Sequence, residues 1–297
     1  MSDKYEMENK KVKIKKKKKS NFIEIIKRLR KNNMAMVGLV IICILILTAI
    51  FADVIAPYSY SEQDLENSFQ SPSVKHLFGT DEIGRDIFSR IVYGSRISLQ
   101  VGFIAVSISV IIGGILGSIA GYYGGRTDNM IMRVMDVLLS IPQILFAISI
   151  SASLGPGIFN LMIAVGISSI PQYARIVRAS VLSIREQEFM EAGRAVGSSD
   201  LRIICKHILP NCLAPVIVQA TLGVAFAILT AAGLSFIGLG IQPPTPEWGS
   251  MLSAGRGYIR DYSYMTLFPG LSIMISILAL NFLGDGLRDA LDPKLKN

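Results

Sequence analysis

The side chains able to do chemistry are few, and their spacing limits what they can do. The two histidines, His76 and His207, stand far apart in the chain. The three cysteines, Cys43, Cys205 and Cys212, have neither the spacing of a metal site nor that of a redox pair, so reduced thiols are expected. Asp81, Glu82 and Asp86 are close enough to suggest a cation site, but Arg85 and Arg90 are interleaved with them. Helix capping and ion pairing are the expected roles. No GxxxxGK[ST] phosphate loop occurs. If this chain moves a solute uphill, another subunit must supply the energy. No catalytic residue and no metal ligand is assigned. What remains is a polar, partly basic stretch, EAGRAVGSSDLRIICKHILPN, at residues 191–211, set between long apolar runs.

The elements that must position this stretch are apolar. Of 297 residues, 51% are hydrophobic and 18% charged, against roughly a quarter charged in average soluble domains. Residues 34–51, MAMVGLVIICILILTAIF, carry no charge. A bilayer core needs about 20 apolar residues per helix, so this run can span. It is too long for a cleaved signal peptide and shows no obvious small-residue cleavage site. Further spans are expected near 98–122, 134–153, 158–173, 214–237 and 266–283, making six; Pro171 and scattered serines weaken the fourth. The expected fold is all-α, a polytopic membrane protein. Residues 1–33 form a Lys-rich tail and a basic amphipathic helix, with Phe22, Ile25, Ile26 and Leu29 on its apolar face. Residues 34–56 hold the first span, 57–97 an extracytoplasmic segment, 98–290 the transmembrane core and 291–297 the C-terminal end.

Positive charge sets the orientation. The run KKVKIKKKKK at residues 10–19 holds much of the net charge of +8. Its place just before a span fits an orienting signal and attraction to anionic lipid, not nucleic-acid binding. With that tail in the cytoplasm, both termini are cytoplasmic. Arg126 and Arg133 fall in the next inner loop, and Arg175, Arg178, Arg185, Arg194, Arg202 and Lys206 around the third. Residues 191–211 then face the cytoplasm, and the two histidines lie on opposite sides of the membrane, which argues against a membrane enzyme.

No Asp, Glu, Lys or Arg lies near the middle of any expected span. Ion-coupled transporters usually need ionisable groups at depth, so a secondary transporter is disfavoured. Gly113, Gly117 and Gly121 recur every four residues, as do Gly223, Ala227, Ala231 and Ser235. Such spacing lets helices approach closely in lipid, either within the chain or against a partner subunit. On the outer side, residues 76–99 are expected to form a helix lying on the membrane and leading into the second span. In residues 239–252, Pro243, Pro244 and Pro246 stiffen the chain and Trp248 suits an interfacial anchor.

These residues resemble those of a known family. Glu191, Ala192, Gly193, Gly197, Ile208, Leu209 and Pro210 match the cytoplasmic "EAA" loop of ABC importer permeases, with Gly193 in place of the second alanine. FGTDEIGRDIFSRIVYGSRISL, LSFIGLGIQPPTPEWG and NFLGDGLRDALDP look like segments of the dipeptide, oligopeptide and nickel "C-type" permeases. Together they cover most of residues 76–293. Many relatives carry a glutamate where Ala231 stands, so no role of that acid is carried over. The resemblance implies the permease subunit of an ATP-driven importer in a bacterial inner membrane. Its partners would be a second, homologous permease, two ABC ATPase subunits and an extracytoplasmic binding protein. ATP and Mg would be bound by the ATPases, and this chain would hold no cofactor. The cargo implied is a dipeptide or oligopeptide; the alternative is nickel or a metal–chelator complex.

The resemblance also gives the polar stretch a task, docking in a groove of an ATPase. Ala192 and Gly193 are small and allow close approach. Gly197 permits a sharp turn between two short helices, Ser198 or Ser199 can cap the second, and Asp200 suits its positive end. Pro210 is expected to end that helix and redirect the chain into the fifth span.

Overall fold

The computed structural model describes residues 24, 26–188, 190 and 197–291. The Lys-rich tail with Phe22, the position of Ile25, the triplet Glu191, Ala192 and Gly193, and the end at 292–297 all lie outside these residues. Among the described residues the chain is helical, with one isolated bridge between Thr80 and Asp86.

The first helix, α1 (Asn33–Ile50), starts where the Asn32 side chain accepts a hydrogen bond from the Ala35 amide at 3.1 Å. At its other end, Arg96 donates to the carbonyls of Ala49 (2.9 Å) and Ile50 (3.3 Å), which have no partner further along the helix. The short α2 (Ala52–Ile55) follows. Arg96 also pairs with Asp53 there, and that contact holds the Asp53 carboxyl below its usual range.

Helix α3 (Ile87–Tyr123) runs unbroken for 37 residues. At 1.5 Å per residue it is far longer than the ~30 Å hydrocarbon core. The outer helix expected before the second span and the span itself are thus one element. Asp86 caps it, accepting from the Ser89 amide and hydroxyl, both at 2.7 Å.

The third expected span, 134–153, is broken. α4 (Gly125–Leu139) and α5 (Gln143–Leu154) meet at 87°. Pro142 lies at the break, where it has no N–H to continue the ladder. α6 (Ile158–Arg185), by contrast, passes through Pro171 without stopping. After the short α7 (Asp200–Ile203) and a π-helical turn (Ile204–Ile208) come α8 (Leu209–Phe236), α9 (Trp248–Gly255) and α10 (Tyr264–Leu291).

Among the described residues, four helical stretches are long and apolar enough to cross a membrane: α1, α3, Ile204–Phe236 and α10. The bent pair α4 and α5 makes a fifth if counted as one span. The expected count of six is not reached by this measure. In α6, Asn160, Ser168, Ser169, Gln172 and Arg175 dilute the apolar run.

Small residues decide which helices touch. A Cβ at Gly113 would sit 2.8 Å from the Ile170 carbonyl oxygen, one at Gly117 would overlap the Ala174 carbonyl, and one at Gly121 would lie 2.8 Å from Val181. The matched order of these pairs shows that α3 and α6 run parallel. The second small-residue row is also used inside the chain, with Gly223 against Tyr173 and Ala227, Ala231 and Ser235 buried. Both rows serve packing within the chain. The main core joins α1, α3, α5, α6, α8 and α10 through Ile42, Val101, Ala147, Leu161, Val224 and Leu280.

Trp248 is not an interfacial anchor. It is 1% exposed, packs with Ile87, Met251 and Met265, and donates from Nε1 to the Ile91 carbonyl at 3.1 Å. The proline-rich segment before it folds the ring inward.

Candidate functional site

The polar stretch is positioned by the ends of α3 and α6. Ile203, Ile208 and Cys212 are buried with Tyr122 of α3 and with Val177, Val181 and Ile184 of α6. Apolar burial on this scale is worth roughly 1.5–3 kcal/mol for each large side chain. The segment is therefore anchored by one face. The opposite face carries the exposed Arg202, Cys205, Lys206, Leu209 and Pro210.

Gly197 has φ +75°, a left-handed conformation that suits glycine, and nothing lies within 4 Å of where its Cβ would be. The expected turn is present. Asp200 begins α7, and its carboxylate accepts a hydrogen bond from the Tyr122 hydroxyl at 2.6 Å. This side-chain contact is tertiary and ties the stretch to the C-terminal turn of α3. Sequence reasoning missed Tyr122.

Pro210 does not end a helix. It stands in the first turn of α8, and the chain runs from the π-helical turn into α8 without a break. The physical reason lies in the backbone ladder. Proline has no N–H to offer, and its ring crowds the carbonyl four residues earlier, that of Lys206. The turn widens to the i→i+5 pattern, with the Leu209 amide donating to the Ile204 carbonyl. The Asn211 side-chain amide then donates to the His207 carbonyl at 2.6 Å. Together these let the helix continue past the proline.

Ion pairs brace the same end. Arg178 of α6 grips Asp128 of α4 through two bonds of 2.5 and 2.6 Å, and Arg175 bonds Asp136 at 2.6 Å. Arg185 donates to the carbonyls of Gly121 (3.3 Å) and Tyr122 (3.2 Å), closing the end of α3. These arginines read in the sequence only as inner-loop charge. The spacing of Asp128 and Asp136 on one helix, facing Arg175 and Arg178 on another, was the available signal.

At the opposite end, the acids of the outer segment do what their spacing predicts. Asp81 bonds Arg85 at 2.6 Å and lies 3.8 Å from Arg90, Glu82 bonds Arg85 at 3.3 Å, and Asp86 meets His76 at 3.0 Å. Of the predicted site residues, the fold brings Gly197, Asp200, Ile208, Leu209 and Pro210 into one compact element. Ile208 faces inward and is fully buried, while Leu209 is 37% exposed.

Comparisons with known proteins bear on this arrangement. Residues 113–297 match the family described as binding-protein-dependent transport system inner membrane component. Residues 20–72 match the N-terminal TM domain of oligopeptide transport permease C. The chain is 55% identical to the dipeptide transport system permease protein DppC of Alkalihalophilus pseudofirmus, over 92% of this chain and 90% of that protein. It is 47% identical to the di/tripeptide transport system permease protein DppC of Pseudomonas aeruginosa, over 90% of each chain. It is 48% identical to the glutathione transport system permease protein GsiD of Escherichia coli, over 92% of this chain and 90% of that one. Among solved structures, the inward-facing MetNI methionine ABC transporter aligns with a TM-score of 0.56 at 19% identity, covering 68% of this chain and 96% of that one. That likeness speaks for the fold alone.

Proposed function

The chain belongs to the binding-protein-dependent transport system inner membrane components, the permease subunits of ABC importers, and from that premise we propose that its cargo is a dipeptide or short oligopeptide. The observation that carries the cargo reading is the 55% identity to a dipeptide permease over 92% of this chain. A binding protein delivers the cargo from outside, and a second, homologous permease completes the pathway. Two ATPase subunits hold ATP and Mg; this chain has no ATPase site of its own. The protein sits in a bacterial inner membrane with both termini in the cytoplasm.

In this reading the EAA loop is where the energy enters. Glu191, Ala192, Gly193 and Gly197 form the part that seats in the ATPase, and Asp200, Ile208, Leu209 and Pro210 join it to the bundle. Three features support that role. The loop is pinned to α3 by the Tyr122–Asp200 bond, to α6 by the cluster around Val181 and Ile208, and it continues directly into α8. A push on the loop therefore reaches three membrane helices at once.

Uptake of labelled dialanine by cells expressing the whole complex tests the cargo. Accumulation that depends on this chain is the expected result. Accumulation of labelled nickel without dialanine would replace the peptide with a metal–chelator complex. Glu191→Lys and Gly197→Pro test the loop. Both are expected to leave the chain in the membrane and to sever ATP hydrolysis from uptake. Normal uptake at normal expression would remove the coupling role.

A further inference from the structure

Among the described residues, two of the cavities that open into the helix bundle differ in kind. One, of about 400 Å³, is lined almost wholly by apolar side chains such as Ile42, Phe103, Val110 and Leu280. It is a surface that acyl chains can fill. The other, of about 320 Å³, lies between α5, α6 and α8, and Gln143, Ser169, Gln172, Tyr173 and Gln219 line it together with Phe226. Its volume is at the small end of the usual range for ligand pockets, about 300–1,000 Å³.

The second cavity sits within the bundle, between the end held by the Tyr122–Asp200 bond and the end where Ser151 bonds the Leu239 carbonyl. It is bordered by the first turn of α5, just after the break at Pro142. Polar side chains at such depth are costly and face the bundle interior or water. One pair is satisfied inside the protein: the Gln143 amide donates to the Ser169 hydroxyl at 2.7 Å. The Tyr173 hydroxyl donates to the Gln219 backbone carbonyl at 3.3 Å. Among the described residues, the side-chain amides of Gln172 and Gln219 have no hydrogen-bond partner. Gln219 is half-buried and Gln172 exposed, so both amides are free to bond water or a ligand in the cavity. Gln172 and Phe226 reach the surface on its open side.

The chemistry of the lining is specific. A glutamine side chain carries the two functions of a peptide bond, an N–H donor and a C=O acceptor. No carboxylate, ammonium or guanidinium lines the cavity. Such a wall can bond any peptide through its backbone while ignoring its side chains, and without a charge it does not trap the passing molecule. Passage through a pore needs that balance of capture and release.

We infer that this cavity is a water-filled segment of the transport pathway in which Gln143, Gln172 and Gln219 hydrogen-bond the amide backbone of the passing peptide. The inference rests on the peptide reading of the cargo given above.

The test uses the whole complex with its binding protein and ATPases in proteoliposomes. Labelled dialanine and labelled dilysine serve as probes, and the variants are the double changes Gln172→Leu/Gln219→Leu and Gln172→Asn/Gln219→Asn. Complex yield and ATP hydrolysis stimulated by the loaded binding protein are measured alongside. The leucine variant is expected to lose uptake of both dipeptides by a similar factor, on the order of tenfold, as one or two lost hydrogen bonds would give. Stimulated hydrolysis persists, and the asparagine variant recovers part of the uptake. Thr221→Val, on α8 outside this cavity, leaves uptake unchanged. Unaltered uptake in the leucine variant, or equal loss in the asparagine variant, overturns the inference while leaving the cargo reading intact. Failure of the wild-type complex to take up either dipeptide overturns both.

Discussion

The two ends of the bundle are built differently. At the end that the proposed orientation places outside, the outer end, charged groups are buried and bonded to one another and to the backbone. Arg85 and Asp81 are 5% and 8% exposed, and Arg90 reaches the carbonyls of Tyr60 at 2.9 Å and Pro244 at 3.3 Å. Trp248 and the Glu247 cap lock the segment before α9. At the other end, the inner end, ion pairs brace α4 against α6, but residues 197–211 themselves lie on one apolar face, with a glycine turn in open space and one tyrosine–aspartate bond to the bundle. Buried charge networks fix one arrangement, because any partner left behind is stranded in a low dielectric. An apolar face with few directional bonds can shift and repack. Under the proposed function, the contrast suits a device that receives its cargo on a stiff frame and its energy through a movable element.

The largest expected effect breaks the stiff end. Asp81→Ala strands Arg85 and Arg90 and should cost about 3–5 kcal/mol, read as a lower unfolding temperature in detergent. Tyr122→Phe removes the bond to Asp200, a contact worth about 1 kcal/mol. Stability should change little, while uptake per ATP hydrolysed falls. That split would separate the inner end from the outer. Gly197→Ala has room for its methyl group but must hold φ +75°, so a cost of about 1–2 kcal/mol is expected, confined to the loop. ATPase stimulation is the readout, and Gly197→Asn should be milder, because asparagine tolerates that conformation.

The smallest effect concerns pH. Burial raises the Glu247 carboxyl above its ordinary 4.5, against bonds from the Gly249 and Ser250 amides and Ser235. The folded protein then holds this proton more tightly than the unfolded chain. Its contribution to stability is complete below about 4.5 and is lost as pH rises through the folded value. Glu247→Gln should flatten that part of the stability profile. An unchanged profile would mean that the outer end tolerates the charge without cost.

Much of the outer end was legible in sequence, because its partners lie close together in the chain. Asp81, Arg85, Asp86 and Ser89 find one another within a few residues. The glycine turn at 197 was legible for the same reason. The behaviour of the prolines was not. Pro142 breaks a span, Pro171 is carried through, and Pro210 stands in the first turn of a continuing helix. Each outcome depends on whether nearby groups take over the freed backbone bonds, as Asn211 does beside Pro210. Trp248 misled for a related reason: its amphipathic ring suits an interface, but the outer segment folded over it.

The sequence by itself determined that this is a helical membrane protein, where its small residues permit close packing, and which family motif it carries. These properties reside in composition and short spacing. Only the tertiary structure decided that Tyr122 holds Asp200, that both small-residue rows are consumed inside the chain, and that three glutamines from three helices line one cavity. Tyr122 and Asp200 are 78 residues apart. Such a meeting depends on the register in which α3 and α6 pack, and that register is set by how the glycines of one helix fit the backbone of the other.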